Sequence, residues 1–167
     1  MWLLILRLRL HLFVLFFLIP FCAVCPEKAD GVLVIKSQHK LCLQRNGKTF
    51  REFHVVFGAR PVGHKIRKGD ERTPEGIYVL DYRNPESRCY KSIHISYPDD
   101  KDRQRAGEKG VDPGGSIMIH GQMNGFGWLA FIMQRFNWTD GCIALSNSDM
   151  DEVWMSVDAG TPIEIKP

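Results

Sequence analysis

Short runs in which apolar and polar residues alternate dominate the chain from residue 31 onwards. The segments GVLVIKS, GIYVLDYR and GTPIEIKP are rich in β-branched residues, and YKSIHISYP places Ile93, Ile95 and Tyr97 on one face of a strand. An Asn-Gly pair at 46–47 separates two further runs of this kind, which is the strongest local signal for a β-hairpin. The pattern therefore predicts a mainly β domain.

Helical spacing occurs in only two segments. In GWLAFIMQRF one face would carry Trp128, Leu129, Ile132 and Phe136. In SDMDEVWMSV, Ser148 and Asp151 form a capping-box pattern. The apolar stripe of this second segment consists of Met150, Val153, Trp154 and Val157. One or two short helices are expected, with both stripes in the core, whereas 58–76 and the polar stretch 99–115 are predicted to be loops.

The first 25 residues differ in composition from the rest. Arg7 and Arg9 precede thirteen residues without charge, Leu12–Val24, which is typical of an export signal. We expect residues 1–25 to be a cleaved signal peptide, with an uncleaved N-terminal anchor as the alternative and the only link to a membrane. Residues 26–167 then form one domain, exported to the periplasm or cell envelope.

The charge balance bears on the partner class. The formal net charge of +3 falls to +1 without Arg7 and Arg9, the two charged residues of the first 25. A nearly neutral domain lacks the basic patch or stripe of a nucleic-acid-binding protein, so no nucleic acid is expected as a partner.

Five cysteines are present, and two of them, in CAVC, lie inside the apolar N-terminal segment, where a redox or zinc function is not expected. Cys42 and Cys89 either pair in an oxidising compartment or serve as small apolar side chains on strands. Cys142 remains, in the stretch NWTDGCIALSN.

Cys142 has the local sequence of a candidate nucleophile. Gly141 before it lets the backbone turn without a Cβ and can aim consecutive amides at one point, as an oxyanion requires. His120, at the end of the strand-like SIMIHG and followed by Gly121, is the best candidate for the base. From these residues alone, a buried structural cysteine is the more frequent alternative.

The motifs SIMIHG and TDGCIAL resemble the catalytic signature of the L,D-transpeptidase family with the YkuD domain, in which a His-Gly pair precedes a Ser/Thr-x-Gly-Cys element. The block GARPVGHKIRKGDERTPEGIY resembles the family's Gly-Asp-x-x-Thr-Pro-x-Gly-x-Tyr element, and HISYP, PGGSIMIHG and GTPIEI follow in the family's order. The resemblance implies a β-sandwich-like catalytic domain that acts on bacterial peptidoglycan.

Carried onto this sequence, the resemblance makes Cys142 the nucleophile, His120 its base and the Gly121 carbonyl the group that orients the imidazole. The amides of Gly141 and Cys142 would form the oxyanion hole, and Thr139 matches the motif's hydroxyl position. No cofactor or metal is implied.

Two positions depart from the family's commoner motif and affect substrate choice. Asp140 stands where a histidine is usual, and Ala144 stands where an arginine is usual. Asp140 is expected either to contact substrate or to be an ordinary turn residue. His94, opposite the apolar face of its strand, is expected to flank the same cleft as a substrate contact or to be a structural histidine.

The leading hypothesis is a peptidoglycan L,D-transpeptidase, a cysteine acyltransferase that forms cross-links or wall attachments through an acyl-enzyme on Cys142. Peptidoglycan stem peptides and a wall-attached lipoprotein are the expected partners. The alternative is a peptidase or amidase that uses the same site with water, for stem trimming or lipoprotein release. A zinc peptidase with ligands such as His94 and His120, or a noncatalytic wall-binding module, has less support, since the chain has no HExxH motif.

Overall fold

The computed structural model describes residues 26–167, which contain eight β-strands and three α-helices. The strands are β1 Gly31–Ile35, β2 Lys40–Arg45, β3 Lys48–His54, β4 Gly76–Asn84, β5 Ser92–Ile95, β6 Met118–His120, β7 Ile143–Ala144 and β8 Thr161–Lys166. The helices are α1 Asp100–Glu108, α2 Ala130–Met133 and α3 Asn147–Ser156.

All eight strands belong to one sheet, in the order β3-β2-β1-β8-β4-β5-β6-β7. The C-terminal strand β8 therefore lies inside the sheet, parallel to β1 and antiparallel to β4. Its burial alternates along the strand, with Ile163 and Ile165 buried and Glu164 partly exposed. The expected last strand is confirmed, and the predicted hairpin at 46–47 joins β2 to β3.

The sheet curls until its two ends meet. The segment after β3 pairs with β7 through Val56 and Ala144, whose backbones exchange two hydrogen bonds of 3.0 and 2.8 Å. Gly58 forms a further bridge with Thr139. Both ends of the sheet thus converge on the residues around Cys142.

One apolar core fills the interior of this curl. It takes its side chains from the inward faces of the strands and from α3. Ile93, Ile95 and Tyr97 are all buried, as their alternation predicts, while His94 is only partly buried.

The prediction of a loop over 99–115 was wrong in its first half, which forms α1. The helix has almost no apolar face, since Ala106 is its buried apolar residue, so no hydrophobic period announces it. Its start is instead fixed by a capping box in which Asp99 accepts from the Asp102 amide and Asp102 accepts from the Asp99 amide. Buried Asp102 also accepts a hydrogen bond of 2.9 Å from the Tyr78 hydroxyl.

One of the two predicted helices is confirmed as α3, whereas the other segment forms only short helical turns. In α3, Met150, Val153 and Val157 are buried as expected, but the N-cap is Ser146, which accepts from the Asp149 amide, and not Ser148. The other segment forms a short 3-10 turn and the four-residue α2. Its stripe is not core, because Trp128 is 71 % exposed and Phe136 is 63 % exposed.

The predicted signal or anchor lies in residues 1–25, outside the described part of the chain. Within residues 26–167, no helix is long and apolar enough to cross a membrane. Cys42 and Cys89 are free thiols. Cys42 is buried in β2, in agreement with the apolar alternative, and Cys89 lies in the loop between β4 and β5.

Asp70 organises the long loop between β3 and β4. Its carboxylate accepts hydrogen bonds from the backbone amides of Ile66, Arg67 and Arg72 and from Lys65 Nζ at 2.8 Å. Burial alone would raise the pKa of Asp70, but these hydrogen bonds outweigh it and lower the pKa to about 2. The loop is therefore held by one ionised side chain.

Asp70→Asn is expected to lower the free energy of unfolding at neutral pH by about 2 kcal/mol, because the lowered pKa stabilises the fold wherever Asp70 is ionised. The stabilisation is present above the ordinary Asp pKa of about 4 and is lost as pH falls toward about 2. Urea unfolding of both proteins at several pH values measures the difference. A difference that stays constant down to the acid limit would contradict this assignment.

Candidate active site

The pairing of β6 with β7 brings the two motifs of the candidate site together. The strands run parallel, with Ile119 opposite Ile143 and His120 opposite Ala144. Cys142 immediately precedes β7, and its thiol lies 3.7 Å from the Ser116 carbonyl oxygen, just before β6. His120 and Cys142 therefore project from neighbouring strands at the same end of the sheet.

The imidazole of His120 is held in one tautomer. Its Nδ1 lies 2.6 Å from the Gly121 carbonyl oxygen, which can only accept, so Nδ1 carries the proton and Nε2 keeps its lone pair. Trp138 packs edge-to-face against the ring, with centroids 5.8 Å apart. Burial lowers the pKa of His120, against the smaller opposing effect of the Gly121 carbonyl, so the ring is neutral at neutral pH.

Gly121 is required at its position by close packing. A Cβ there would lie 2.7 Å from Asn147 Oδ1 and 2.9 Å from Tyr90 Cβ. The same Asn147 oxygen accepts from the Gln122 amide at 2.8 Å, which fixes the chain just after the histidine. Any side chain at 121 would displace the carbonyl that orients His120.

Cys142 is partly exposed and borders an open cleft of about 690 Å³. Its thiol donates to the Ser116 carbonyl at 3.7 Å. Burial raises the pKa of the thiol to about 11, although the Met118 amide opposes that rise. At neutral pH the Cys142 thiol and the His120 imidazole are therefore both uncharged.

The turn 139–142 is braced by the Thr139 hydroxyl. It donates to the Cys142 carbonyl at 2.7 Å and accepts from the Gly141 amide at 3.2 Å. Gly141 has a φ of 123°, and a Cβ there would lie 2.4 Å from the Arg72 carbonyl oxygen, so only glycine fits. The Gly141 amide therefore already has an acceptor, whereas the Cys142 amide has none within residues 26–167.

Asp140 is exposed and lines the same cleft as Cys142. The other charged side chains of the cleft are Lys65, Lys68 and Asp112. Lys65 is buried and paired with Asp70 at 2.8 Å, while Lys68 has no acidic partner in the described part of the chain. The cleft can thus receive both an amine and a carboxylate.

His94 is engaged away from the cleft. Its Nδ1 lies 2.6 Å from Asp81 Oδ1, and its ring stacks on Tyr82 with centroids 4.5 Å apart. It is not among the side chains that line the cleft. Within residues 26–167, no three His, Cys, Asp or Glu side chains are arranged to hold a metal ion.

Of the predicted residues, Thr139, Gly141 and Cys142 lie in one turn before β7, whereas His120 and Gly121 lie at the end of the neighbouring strand β6. Sequence reasoning missed Trp138, which supports the imidazole, and Ser116, whose carbonyl contacts the thiol. Trp138 adjoins the Thr-Asp-Gly-Cys motif, so its position was a usable signal. Ser116 contributes only its backbone carbonyl, so the type of residue at this position could not have indicated the contact.

Comparison with known proteins identifies the family of the chain. The sequence model of the YkuD family, the L,D-transpeptidase catalytic domain, matches residues 29–165. The chain therefore belongs to the family of YkuD L,D-transpeptidase catalytic domains. The predicted family and mainly β fold class are confirmed.

Among individual proteins, YafK of Escherichia coli (strain K12), provisionally named an L,D-transpeptidase, is 33 % identical over 98 residues, which are 58 % of this chain and 32 % of YafK. The helical cell shape determining protein Pgp2 from Campylobacter jejuni is 27 % identical, and its crystal structure matches with a TM-score of 0.61. The crystal structure of a point mutant of Pgp2 gives a TM-score of 0.62. It covers 81 % of this chain and 47 % of Pgp2.

A further neighbour shows the same fold at lower identity. L,D-transpeptidase 3 from Mycobacterium tuberculosis, solved with a faropenem-derived adduct, is 15 % identical with a TM-score of 0.54. It covers 81 % of this chain and 59 % of that one. The chain thus spans about a third of YafK and less than two thirds of these solved relatives.

A pKa of about 11 for Cys142 predicts a specific pH dependence of alkylation. The rate with iodoacetamide should rise about tenfold per pH unit between roughly pH 7 and 10, because the thiolate reacts. Mass spectrometry of the Cys142 peptide measures the rate, and Cys142→Ser corrects for Cys42 and Cys89. A plateau of fast alkylation below about pH 7 would instead indicate a thiolate–imidazolium pair.

Proposed function

We propose that this protein is a peptidoglycan L,D-transpeptidase that works through an acyl-enzyme on Cys142. The Cys142 sulfur attacks the carbonyl that joins the diamino acid to D-alanine in a tetrapeptide stem, D-alanine leaves, and a thioester remains. An amine from a second stem or another wall-attached molecule then takes the acyl group. The observation that carries this proposal is that Cys142 borders an open cleft and precedes β7, which pairs with the strand that ends in His120.

His120 acts as the general base in this proposal. The hydrogen bond from Nδ1 to the Gly121 carbonyl leaves Nε2 as the basic nitrogen, and the lowered pKa keeps that nitrogen unprotonated at neutral pH. Because the thiol is also neutral, the proton moves from sulfur to Nε2 as the sulfur attacks. The resulting imidazolium then protonates the departing D-alanine amine.

The oxyanion hole is assigned chiefly to the Cys142 amide. This N–H has no acceptor within the described residues, and the braced turn holds it in place. The Gly141 amide would have to leave the Thr139 hydroxyl before it could contribute a second donor. Thr139 therefore acts by holding the turn.

The cleft charges support an amine as the acceptor. Asp140 is anionic, exposed and on the cleft wall, so it can hold the ammonium group of an incoming stem near the thioester. Water remains the competing acceptor, since Cys142 is partly exposed, and it would make the protein a peptidase or amidase. His94, engaged with Asp81, is assigned a structural role beside the site.

The place of action follows from the substrate. Peptidoglycan lies outside the cytoplasm, so an exported, periplasmic or envelope location is proposed, with residues 1–25 as the signal peptide or anchor. A wall-attached lipoprotein is a further acceptor or substrate that the same acyl chemistry would serve.

Cys142→Ser is expected to keep the fold and to abolish turnover of a tetrapeptide stem. A serine hydroxyl is similar in size to the thiol but a far poorer nucleophile without a strong base. Circular dichroism checks the fold, and chromatographic release of D-alanine measures turnover. Wild-type activity in this variant would exclude Cys142 as the nucleophile.

His120→Gln should reduce the acylation rate about 10² to 10⁴-fold, the usual contribution of general-base catalysis. His94→Gln is the matched control, because it changes a histidine on the neighbouring strand β5 that is bonded to Asp81. Single-turnover formation of the acyl-enzyme measures both. A loss in His120→Gln no larger than in His94→Gln would show that the wrong histidine has been assigned.

Product analysis separates the two acceptors. Incubation of the purified protein with wall fragments should give cross-linked dimers that join two diamino acids, identified by mass spectrometry. Cys142→Ser is the control for background reactions. Only shortened stems or released lipoprotein would assign the hydrolase instead, and the absence of any acyl adduct on Cys142 would overturn both functions.

A further inference from the structure

A second cavity of about 350 Å³ lies on the other side of the loop that borders the Cys142 cleft. Lys65, Lys68 and Gly69 of this loop face the cleft, whereas Arg67 and Arg72 line the second cavity. The full lining consists of Arg60, Ile66, Arg67, Asp70, Arg72, Lys109 and Val111. Both the loop and the end of α1 therefore contribute cations to it.

The cationic cavity, as we name this space, has an unbalanced positive charge. Its one acidic lining residue, Asp70, is already neutralised by Lys65 and three backbone amides. Arg60 is paired with Glu71 at 3.3 Å. Within residues 26–167, Arg67, Arg72 and Lys109 have no acidic partner. Three cations thus surround one space without an internal counter-charge.

The cationic cavity and the turn that carries Cys142 share one residue at their boundary, Arg72. The carbonyl oxygen of Arg72 packs so tightly against Gly141 that a Cβ there would lie 2.4 Å away. Arg72 therefore has its backbone against the turn that carries Cys142 and its side chain on the cationic cavity. Only the loop 65–72 separates a peptide bound in the cleft from these cations.

We propose that the cationic cavity binds carboxylates of a peptidoglycan stem whose scissile bond lies at Cys142. This inference rests on the proposed function for the identity of the peptide. Guanidinium groups bind carboxylates through paired hydrogen bonds, and two arginines with a lysine can hold more than one carboxylate. The cavity thereby selects stems with free carboxylates over stems in which these groups are amidated.

Binding is tested in the full chain with Cys142→Ala, so that no turnover occurs. Isothermal titration calorimetry with a soluble tetrapeptide stem compares this protein with the same protein carrying Arg67→Gln and Arg72→Gln. The matched control carries Lys48→Gln and Arg103→Gln, which remove the same charge from exposed positions outside the cavity. Lys109→Gln supplies an independent variant on a different element.

The expected result is binding about tenfold weaker in the double arginine variant and unchanged binding in the control. Amidation of the stem carboxylates should reproduce the loss in the parent protein and have little further effect in the double variant. Lys109→Gln should weaken binding in the same direction, and it serves as the test if the double variant does not fold. Equal affinities in all proteins, or equal losses in variant and control, would overturn the proposal.

Inorganic phosphate distinguishes the other source of an anion. Phosphate that binds more tightly than the stem and depends on Arg67 and Arg72, with stem binding independent of them, would overturn the carboxylate assignment. Because calorimetry here needs no catalysis, failure of the cavity leaves the Cys142 acyl-enzyme untouched. Conversely, a missing acyl adduct in the wild-type protein counts against the proposed function alone.

Discussion

The parallel pairing of β6 and β7 is the interaction on which the site depends. The two strands are only three and two residues long, and they would be marginal as an isolated pair. They are held because the sheet closes on them: Val56 exchanges two hydrogen bonds with Ala144, and the Leu145 amide donates to the His120 carbonyl at 2.9 Å. The curl of the whole sheet is therefore what keeps the strand that ends in His120 paired with the strand that follows Cys142.

Burial decides the resting state of the two reactive groups. It raises the pKa of the Cys142 thiol and lowers the pKa of the His120 imidazole, so both changes favour uncharged forms. A charged pair would gain attraction but lose hydration at a partly buried site. In the proposed mechanism, these neutral groups delay charge separation until the substrate carbonyl can accept the electron pair and the Cys142 amide can receive the oxyanion. A thiol with a raised pKa is mostly protonated at neutral pH and therefore reacts slowly with oxidants.

Sequence reasoning succeeded where side-chain type determines structure. Alternation in YKSIHISYP and the Asn-Gly turn predicted strands that the structure contains, and the His-Gly and Gly-Cys motifs lie at two neighbouring strands, β6 and β7. It failed where the position of a segment depends on capping or on long-range contacts, which side-chain type does not indicate. The helix α1 starts at a capping box and has no apolar stripe. Trp128 has helical spacing but is exposed, because the three-residue 3-10 turn that contains it and the four-residue α2 are too short to bury a face. The central place of β8 is set by long-range pairing that no local pattern encodes.

The loop between β3 and β4 is held in one arrangement by hydrogen bonds within the loop. Asp70 ties the loop's own amides to one carboxylate, so the side chains at 65 and 68 stay on the cleft side and those at 67 and 72 stay on the side of the cationic cavity. A flexible loop would have to be ordered by each incoming peptide, at a cost in binding free energy. In this protein the loop is already ordered in the folded state, so a bound peptide does not have to order it. The distance between the cleft and the cations is therefore fixed in the free protein. Under the proposed function, a peptide that engages both Cys142 and the cationic cavity must therefore carry its carboxylates at that separation from its scissile bond.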